Sequence, residues 1–100
     1  MRSLNSEKNK RIRIAILELL KTNYPGALDM KVLLFSLDNL GYPMLDDQLV
    51  AHLTYLSEKG YVRIDKRKGY GFQVAFACLT ASGWDLIDGH IHENGIDEVL

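Results

Sequence analysis

Residues 53–69 read LTYLSEKGYVRIDKRKG, and the spacing of the apolar residues changes within this stretch. Before the central glycine, Leu53 and Leu56 follow the spacing of three to four residues that is typical of a helix with one buried face. After it, Val62 and Ile64 alternate with polar neighbours, as in a strand with one buried face. The stretch therefore predicts a helix that ends at a glycine and leads directly into a strand.

The pattern continues downstream as a hairpin and a short helix. Residues 66–69 (KRKG) are typical of a charged hairpin turn, and residues 70–79 alternate between apolar and other side chains, as a second strand would. Thr80 is a suitable N-cap for a last helix over residues 81–88, and Gly89 is a suitable end for it. We expect Trp84 of this helix to lie in the core and to pack the helix on the hairpin.

Three amphipathic helices are predicted upstream. The first begins near residues 5–6 and ends at the NYPG turn of residues 23–26, because proline cannot continue a helix. The second is capped by Asp29 and ended by Gly41, and the third covers residues 45–59. Their predicted buried residues share helical spacing: Ile12, Ile16, Leu19, Leu20, Leu33, Leu34, Leu37, Leu40, Leu49, Leu53 and Leu56.

The predicted order of elements is helix, helix, helix, strand, turn, strand, helix. Three helices with an appended hairpin form the winged variant of the helix-turn-helix. The sequence thus predicts a mostly α fold with a small β-hairpin, a winged helix-turn-helix (α-α-α-β-β-α). Residues 1–89 are expected to form this single domain, and residues 90–100 an acidic C-terminal tail.

Two segments resemble known winged-helix regulators. Residues 53–62 are similar to the junction at which the third helix enters the first wing strand, and residues 79–89 to the segment in which the second wing strand leads into a Thr-capped helix. The resemblance implies a winged-helix fold and a role in DNA binding.

More narrowly, residues 10–90 resemble small winged-helix (ArsR-like) proteins encoded by Mu-like prophages. The similarity is found in all three helices, at residues 13–20, residues 37–42, Asp47, Leu49, Ala51 and Leu53. It implies a phage or prophage regulator of transcription. The start of the third helix departs from the pattern, because Leu45 and Asp46 stand where a capping hydroxyl and a basic residue are expected.

The net charge of −1 conceals an uneven distribution of charge. All twelve Lys and Arg residues lie between Arg2 and Lys68, whereas the last 21 residues contain five acids and no Lys or Arg. A basic body with an acidic end can bind an anionic partner on one face.

In a DNA-binding winged helix, outward side chains of the third helix meet base edges in the major groove. Here we expect those side chains to be Gln48, His52 and Tyr55. Asp46 and Asp47 oppose this role, because carboxylates repel phosphates, although they also favour the positive end of the helix. The alternative is a solvated helix start without any nucleic-acid contact.

Two groups of cations are the remaining candidates for contact with DNA. Lys66, Arg67 and Lys68 are expected at the wing tip, where they could lie along the phosphate backbone. Lys10 and Arg13 share one side of the first helix and could contact phosphates too. In both places the alternative is a charged surface that serves only solubility.

Other functions find little support in the sequence. No motif predicts a catalytic site, so we expect a non-enzymatic protein without a cofactor. His90 and His92 lack the further ligands of a zinc site, and the single Cys78 excludes an internal disulfide, so no metal is expected. The chain contains no apolar run long enough for a membrane span and no secretory signal, which favours the cytoplasm.

The expected partner is double-stranded DNA, bound by a homodimer. The acidic tail contains three apolar residues, Ile96, Val99 and Leu100, that could dock on a second copy. The alternative function is a protein-interaction or dimerisation module that uses the winged-helix scaffold without binding DNA.

Overall fold

The computed structural model describes residues 4–69 and 72–89, which form four helices and a three-stranded sheet. In chain order the elements are α1 (Leu4–Thr22), β1 (Ala27–Asp29), α2 (Met30–Asn39), α3 (Asp46–Glu58), β2 (Val62–Gly69), β3 (Phe72–Leu79) and α4 (Ala81–Ile87). This order contains every predicted element and one more, the strand β1. Predictions made for residues 90–100 lie outside the described residues.

The hydrophobic core lies where α1, α2 and α3 meet the sheet. Its fully buried members include most of the predicted helical stripes: Ile12, Ile16, Leu20, Leu33, Leu37, Leu49, Leu53 and Leu56. Leu19 and Leu34 are only partly buried. The prediction for Leu40 is wrong, since its side chain is 55% exposed. Because α2 ends at Asn39, Leu40 is the capping residue, and helical spacing no longer directs it to the core.

The strand β1 was not predicted, because three residues are too few to display an alternating pattern. It pairs antiparallel with β3, so that the sheet has the order β1-β3-β2. Asp29, the last residue of β1, is also the N-cap of α2, and its carboxylate accepts a hydrogen bond from the Lys31 backbone N–H at 2.6 Å. This short pairing ties the start of α2 to the wing.

The hairpin of β2 and β3, called the wing below, is longer than predicted. Strand β2 extends to Gly69, which pairs with Phe72. The prediction that residues 66–69 form the turn is therefore wrong, and Lys66, Arg67 and Lys68 belong to the paired strand. A run of charged residues has the composition of a turn, but here the backbone of each of these residues pairs with strand β3.

Helix α4 closes the domain on α1. The Thr80 hydroxyl caps α4 as predicted, accepting a hydrogen bond from the Gly83 N–H at 3.1 Å. Trp84 packs against the core as predicted, its ring centre lies 5.1 Å from that of Tyr24, and the Lys21 ammonium lies 4.6 Å from its ring. Lys21 also forms an ion pair with Asp88 at 3.0 Å. Helix α4 therefore packs against the end of α1 and the connection that follows it.

Within residues 4–69 and 72–89, no helix is both long and apolar enough to cross a bilayer.

Candidate nucleic-acid interface

The outward face of α3 is acidic. Opposite the buried stripe lie four exposed residues at helical spacing: Asp47, Ala51, Thr54 and Glu58. Two of them are carboxylates and none is Lys or Arg. Asp46, in the first turn, pairs with Lys31 across a 3.3 Å contact in which both side chains are exposed, so solvent weakens the pair. The helix expected to contact bases thus presents mainly negative charge to solvent.

Gln48 has a structural role at the start of this helix. The N-cap position is occupied by Leu45, whose side chain cannot accept a hydrogen bond. The Gln48 side-chain oxygen satisfies one free backbone donor at the start of the helix, by accepting a hydrogen bond from the Leu45 backbone N–H at 2.9 Å. Gln48 is exposed, as predicted, but its carbonyl oxygen is already used by the backbone.

His52 was predicted to point outward and does not. Its side chain is only 9% exposed, because position 52 lies three residues after Leu49 and four before Leu56, on the buried stripe. The same spacing is visible in the sequence and could have predicted this burial. Burial lowers the pKa of His52 below its ordinary value of 6.5, and the Arg13 guanidinium lowers it further.

This burial makes the stability of the fold depend on pH. The unfolded chain protonates His52 near pH 6.5, whereas the folded protein does so only at lower pH, so protonation favours unfolding. We expect the contribution of His52 to the free energy of unfolding to be complete above pH 6.5 and to decline as the pH falls towards the folded-state pKa. Urea denaturation at about pH 7.5 and about pH 5.5 measures the decline.

The control for this prediction is His52→Gln, which retains a polar side chain but cannot be protonated. The variant should lose less stability than the wild type between the two pH values, even if it is less stable at both. An equal loss in the two proteins would show that His52 is not the titrating group.

Arg13 and Tyr55, both predicted site residues, are in contact. The Arg13 guanidinium lies 3.8 Å from the centre of the Tyr55 ring, and the Lys59 ammonium lies 5.7 Å from it. The Arg13 contact joins α1 to α3 and fixes the orientation of the guanidinium. Sequence analysis missed Lys59, although its spacing of four residues from Tyr55 places it on the same helical face.

Lys10 was predicted to lie on an open cationic surface, and this prediction is wrong. It is only 6% exposed, because it lies at the edge of the buried face of α1, two turns before Leu17. Its stem is covered by protein, which limits its reach towards a phosphate. The exposed cations of this helix include Lys8 and Arg11.

The wing distributes its three cations over two faces. Lys66 lies beside Val50 and Thr54 in a cleft between α3 and the wing. Since side chains alternate along a strand, Lys68 shares this face and Arg67 points to the other, where its guanidinium lies 4.5 Å from the centre of the Phe76 ring. All three side chains are exposed. Lys66 is thus placed next to the helix that would enter a groove, Lys68 lies farther along the same face, and Arg67 lies on the other face.

A metal site is not evident in the described part of the chain. Residues 4–69 and 72–89 contain no group of three or more His, Cys, Asp or Glu side chains placed to hold a metal ion. Cys78 is buried, as expected of a small apolar residue. The predictions for His90, His92 and the apolar residues of the tail lie outside the described residues.

Neither a protein-family model nor a curated protein sequence matches this chain. Solved structures that share its fold include two described as regulators or bound to operator DNA. TA0346 of Thermoplasma acidophilum, described as a candidate transcriptional regulator, has a TM-score of 0.74 and 18% identity over 88% of this chain and 82% of its own. Bacillus subtilis PadR, solved in complex with operator DNA, has a TM-score of 0.65 and 23% identity over 90% of this chain, which spans 53% of PadR. The predicted winged-helix fold is confirmed.

Proposed function

We propose that this protein binds double-stranded DNA, with the wing supplying most of the affinity. The observation on which the proposal rests is the exposed row of Lys66, Arg67 and Lys68, two of which lie on the side of the wing that faces α3. Cations at this spacing can neutralise successive phosphates and release counterions. The likeness in fold to PadR, whose structure contains operator DNA, supports the proposal.

Affinity and sequence discrimination have different sources in this proposal. Phosphate contacts position a protein on the duplex, whereas base-edge contacts give specificity. The exposed stripe of α3 contains Asp47 and Glu58 but no Lys or Arg, the residues that most often recognise guanine. The protein therefore binds DNA mainly through the backbone, and its preference among sequences is modest.

The proposal extends to regulation of transcription. A phage or prophage origin rests on the sequence resemblance alone. The association of two copies rests on the apolar residues of the acidic tail and on the repetition of DNA half-sites. The boundary of a single winged-helix domain at residue 89 is likewise part of the proposal. None of these extensions is needed for the test of DNA binding.

The test is a titration of a fluorescently labelled, mixed-sequence duplex of about 20 base pairs with the full chain, at about 50 and 200 mM salt. If four phosphates are neutralised, the binding constant should fall roughly 100-fold between the two salt concentrations. Binding at low salt combined with this steep loss supports the proposal. Absence of binding at about 50 mM salt contradicts it.

A second candidate function is docking of another protein. Specific observations favour it: Phe35 is 66% exposed and Leu45 is 69% exposed. Phe35 follows Lys31 by one helical turn and Leu45 directly precedes Asp46, the two residues whose ion pair joins the starts of α2 and α3. Large exposed apolar side chains are typical of interaction surfaces. Absence of DNA binding at low salt would leave this function as the better supported one.

A further inference from the structure

A cleft separates the amino-terminal half of α1 from the first turns of α3, on the side of α3 away from the wing. Its volume is about 480 Å³, within the range of about 300–1,000 Å³ typical of small-molecule sites. Its polar lining consists of Lys8, Asn9, Arg13, Gln48 and His52. Its apolar lining consists of Ile12, Pro43, Met44 and Ala51.

The charge of this lining has one sign. Lys8 and Arg13 are cations, and no carboxylate is present among the described residues that line the cleft. Asp46 and Asp47 belong to the same helix as His52 but are not part of the lining. Two cations on low-dielectric walls concentrate a positive potential, which attracts anions.

Two buried nitrogen atoms of the residues that line this cleft have no hydrogen-bond partner in the described part of the chain. Arg13 Nε and His52 Nδ1 are buried and have no hydrogen-bond partner among the described residues. His52 itself is nine-tenths buried, and the Tyr55 ring at 3.8 Å holds the Arg13 guanidinium in position. A buried donor without a partner, such as Arg13 Nε–H, is unfavourable, so an acceptor that reaches it after a small rotation of the side chain stabilises the site.

We propose that this cleft binds a small organic anion, a carboxylate attached to a compact apolar body. Arg13 and Lys8 bind the carboxylate, since charge-assisted hydrogen bonds to guanidinium and ammonium groups are strong. Ile12 and Met44 contact the apolar part. The site lies apart from Lys66 and Lys68, and the proposal does not depend on DNA binding.

His52 provides a spectroscopic signal of occupancy. Arg13 and Lys8 of α1 line the same cleft as His52, and the Arg13 guanidinium disfavours its protonated form. A bound carboxylate offsets these charges, so protonation of His52 becomes easier and its pKa rises. A neutral ligand of the same shape has no such effect.

The experiment uses the full chain without DNA and two probes of nearly equal shape, benzoate and its neutral counterpart benzamide. Chemical shifts of backbone amides and of the His52 ring are followed by NMR during each titration. We expect benzoate to cause saturable chemical-shift changes at α1 and at the start of α3. Benzamide should bind at least tenfold more weakly, roughly as expected from loss of a charged partner. The pKa of His52 should rise with benzoate alone. Equal affinity for the two probes overturns the proposal.

Two variants and one control locate the site. Lys8→Gln, at an exposed position that does not threaten the fold, should weaken benzoate binding several-fold, and Arg13→Gln should weaken it more. Lys31→Gln removes an exposed cation outside the cleft and should leave the affinity unchanged. If Arg13→Gln does not fold, Lys8→Gln decides. Wild-type affinity in Lys8→Gln overturns the proposal.

Discussion

Replacing Gly83 with alanine should lower the free energy of unfolding by about 2 kcal/mol or more. Gly83 is buried in the first turn of α4, and a Cβ atom at this position would overlap the Tyr61 carbonyl oxygen and lie 2.6 Å from Leu79 Cδ1. One of these neighbours is backbone and cannot rotate away. The added methyl group must therefore push α4 off the start of the wing. In a domain of this size the midpoint of thermal unfolding should fall by roughly 10 °C.

The control for this change is Ser82→Ala, one residue earlier in the same helix. Ser82 is exposed, so its replacement should alter the free energy of unfolding by less than about 0.5 kcal/mol. Chemical denaturation of both variants at one pH gives the comparison. Similar stability of Gly83→Ala and wild type would mean that α4 does not dock as described.

Replacing Lys66, Arg67 and Lys68 together with alanine should have the largest effect on DNA binding. Each phosphate contact that is lost lowers the dependence of log K on log salt by about 0.9, so loss of the two contacts made by Lys66 and Lys68 lowers the slope by about 1.8. Affinity at about 50 mM salt should fall at least tenfold. The side chains are exposed, so the fold should be retained. The measurement is the same duplex titration at several salt concentrations.

Single substitutions distinguish the effect of a charge at one position on DNA affinity from the effect of net charge. Lys66→Ala and Arg63→Ala each remove one positive charge from β2, but Arg63 lies at the base of the wing, 3.6 Å from Asp65. Only Lys66→Ala should reduce affinity. Equal effects would indicate a response to net charge and would remove the wing from the proposed interface.

Asp47→Asn tests whether α3 approaches the duplex. This exposed carboxylate would repel phosphates if α3 entered a groove, so its neutralisation should raise affinity at low salt. Unchanged affinity would place α3 away from the DNA backbone. The wing would then bind without the helix.

The similarity of residues 53–62 and 79–89 to winged-helix regulators has a structural explanation. The two segments touch: the Thr80 N–H donates to the Tyr61 carbonyl oxygen at 3.1 Å, and the Thr80 hydroxyl donates to the Gly60 carbonyl oxygen at 2.6 Å. Gly60 has a φ of +84°, a conformation that favours glycine. The capping residue of α4 thus hydrogen-bonds to the junction between α3 and the wing.

Much of the fold could be predicted because its causes are local. Spacing of apolar residues sets the buried faces of the first three helices, Asp29 and Thr80 supply caps, and glycines at positive φ end α2, α3 and α4. Each of these signals lies within a few residues of the element that it defines. The candidate site was predicted less well, because the exposure of a side chain depends on what packs against it.

The sequence by itself determined the order of the helices, the change of period at residue 60 and the winged-helix architecture. Only the tertiary structure decided which cations remain available and where. Lys10 is covered because neighbouring elements pack against α1, and Lys66 lies beside α3 because pairing with β3 extends β2 beyond the expected turn. The physical reason is that periodicity describes one element alone, whereas burial and strand register arise from contacts between elements far apart in the chain.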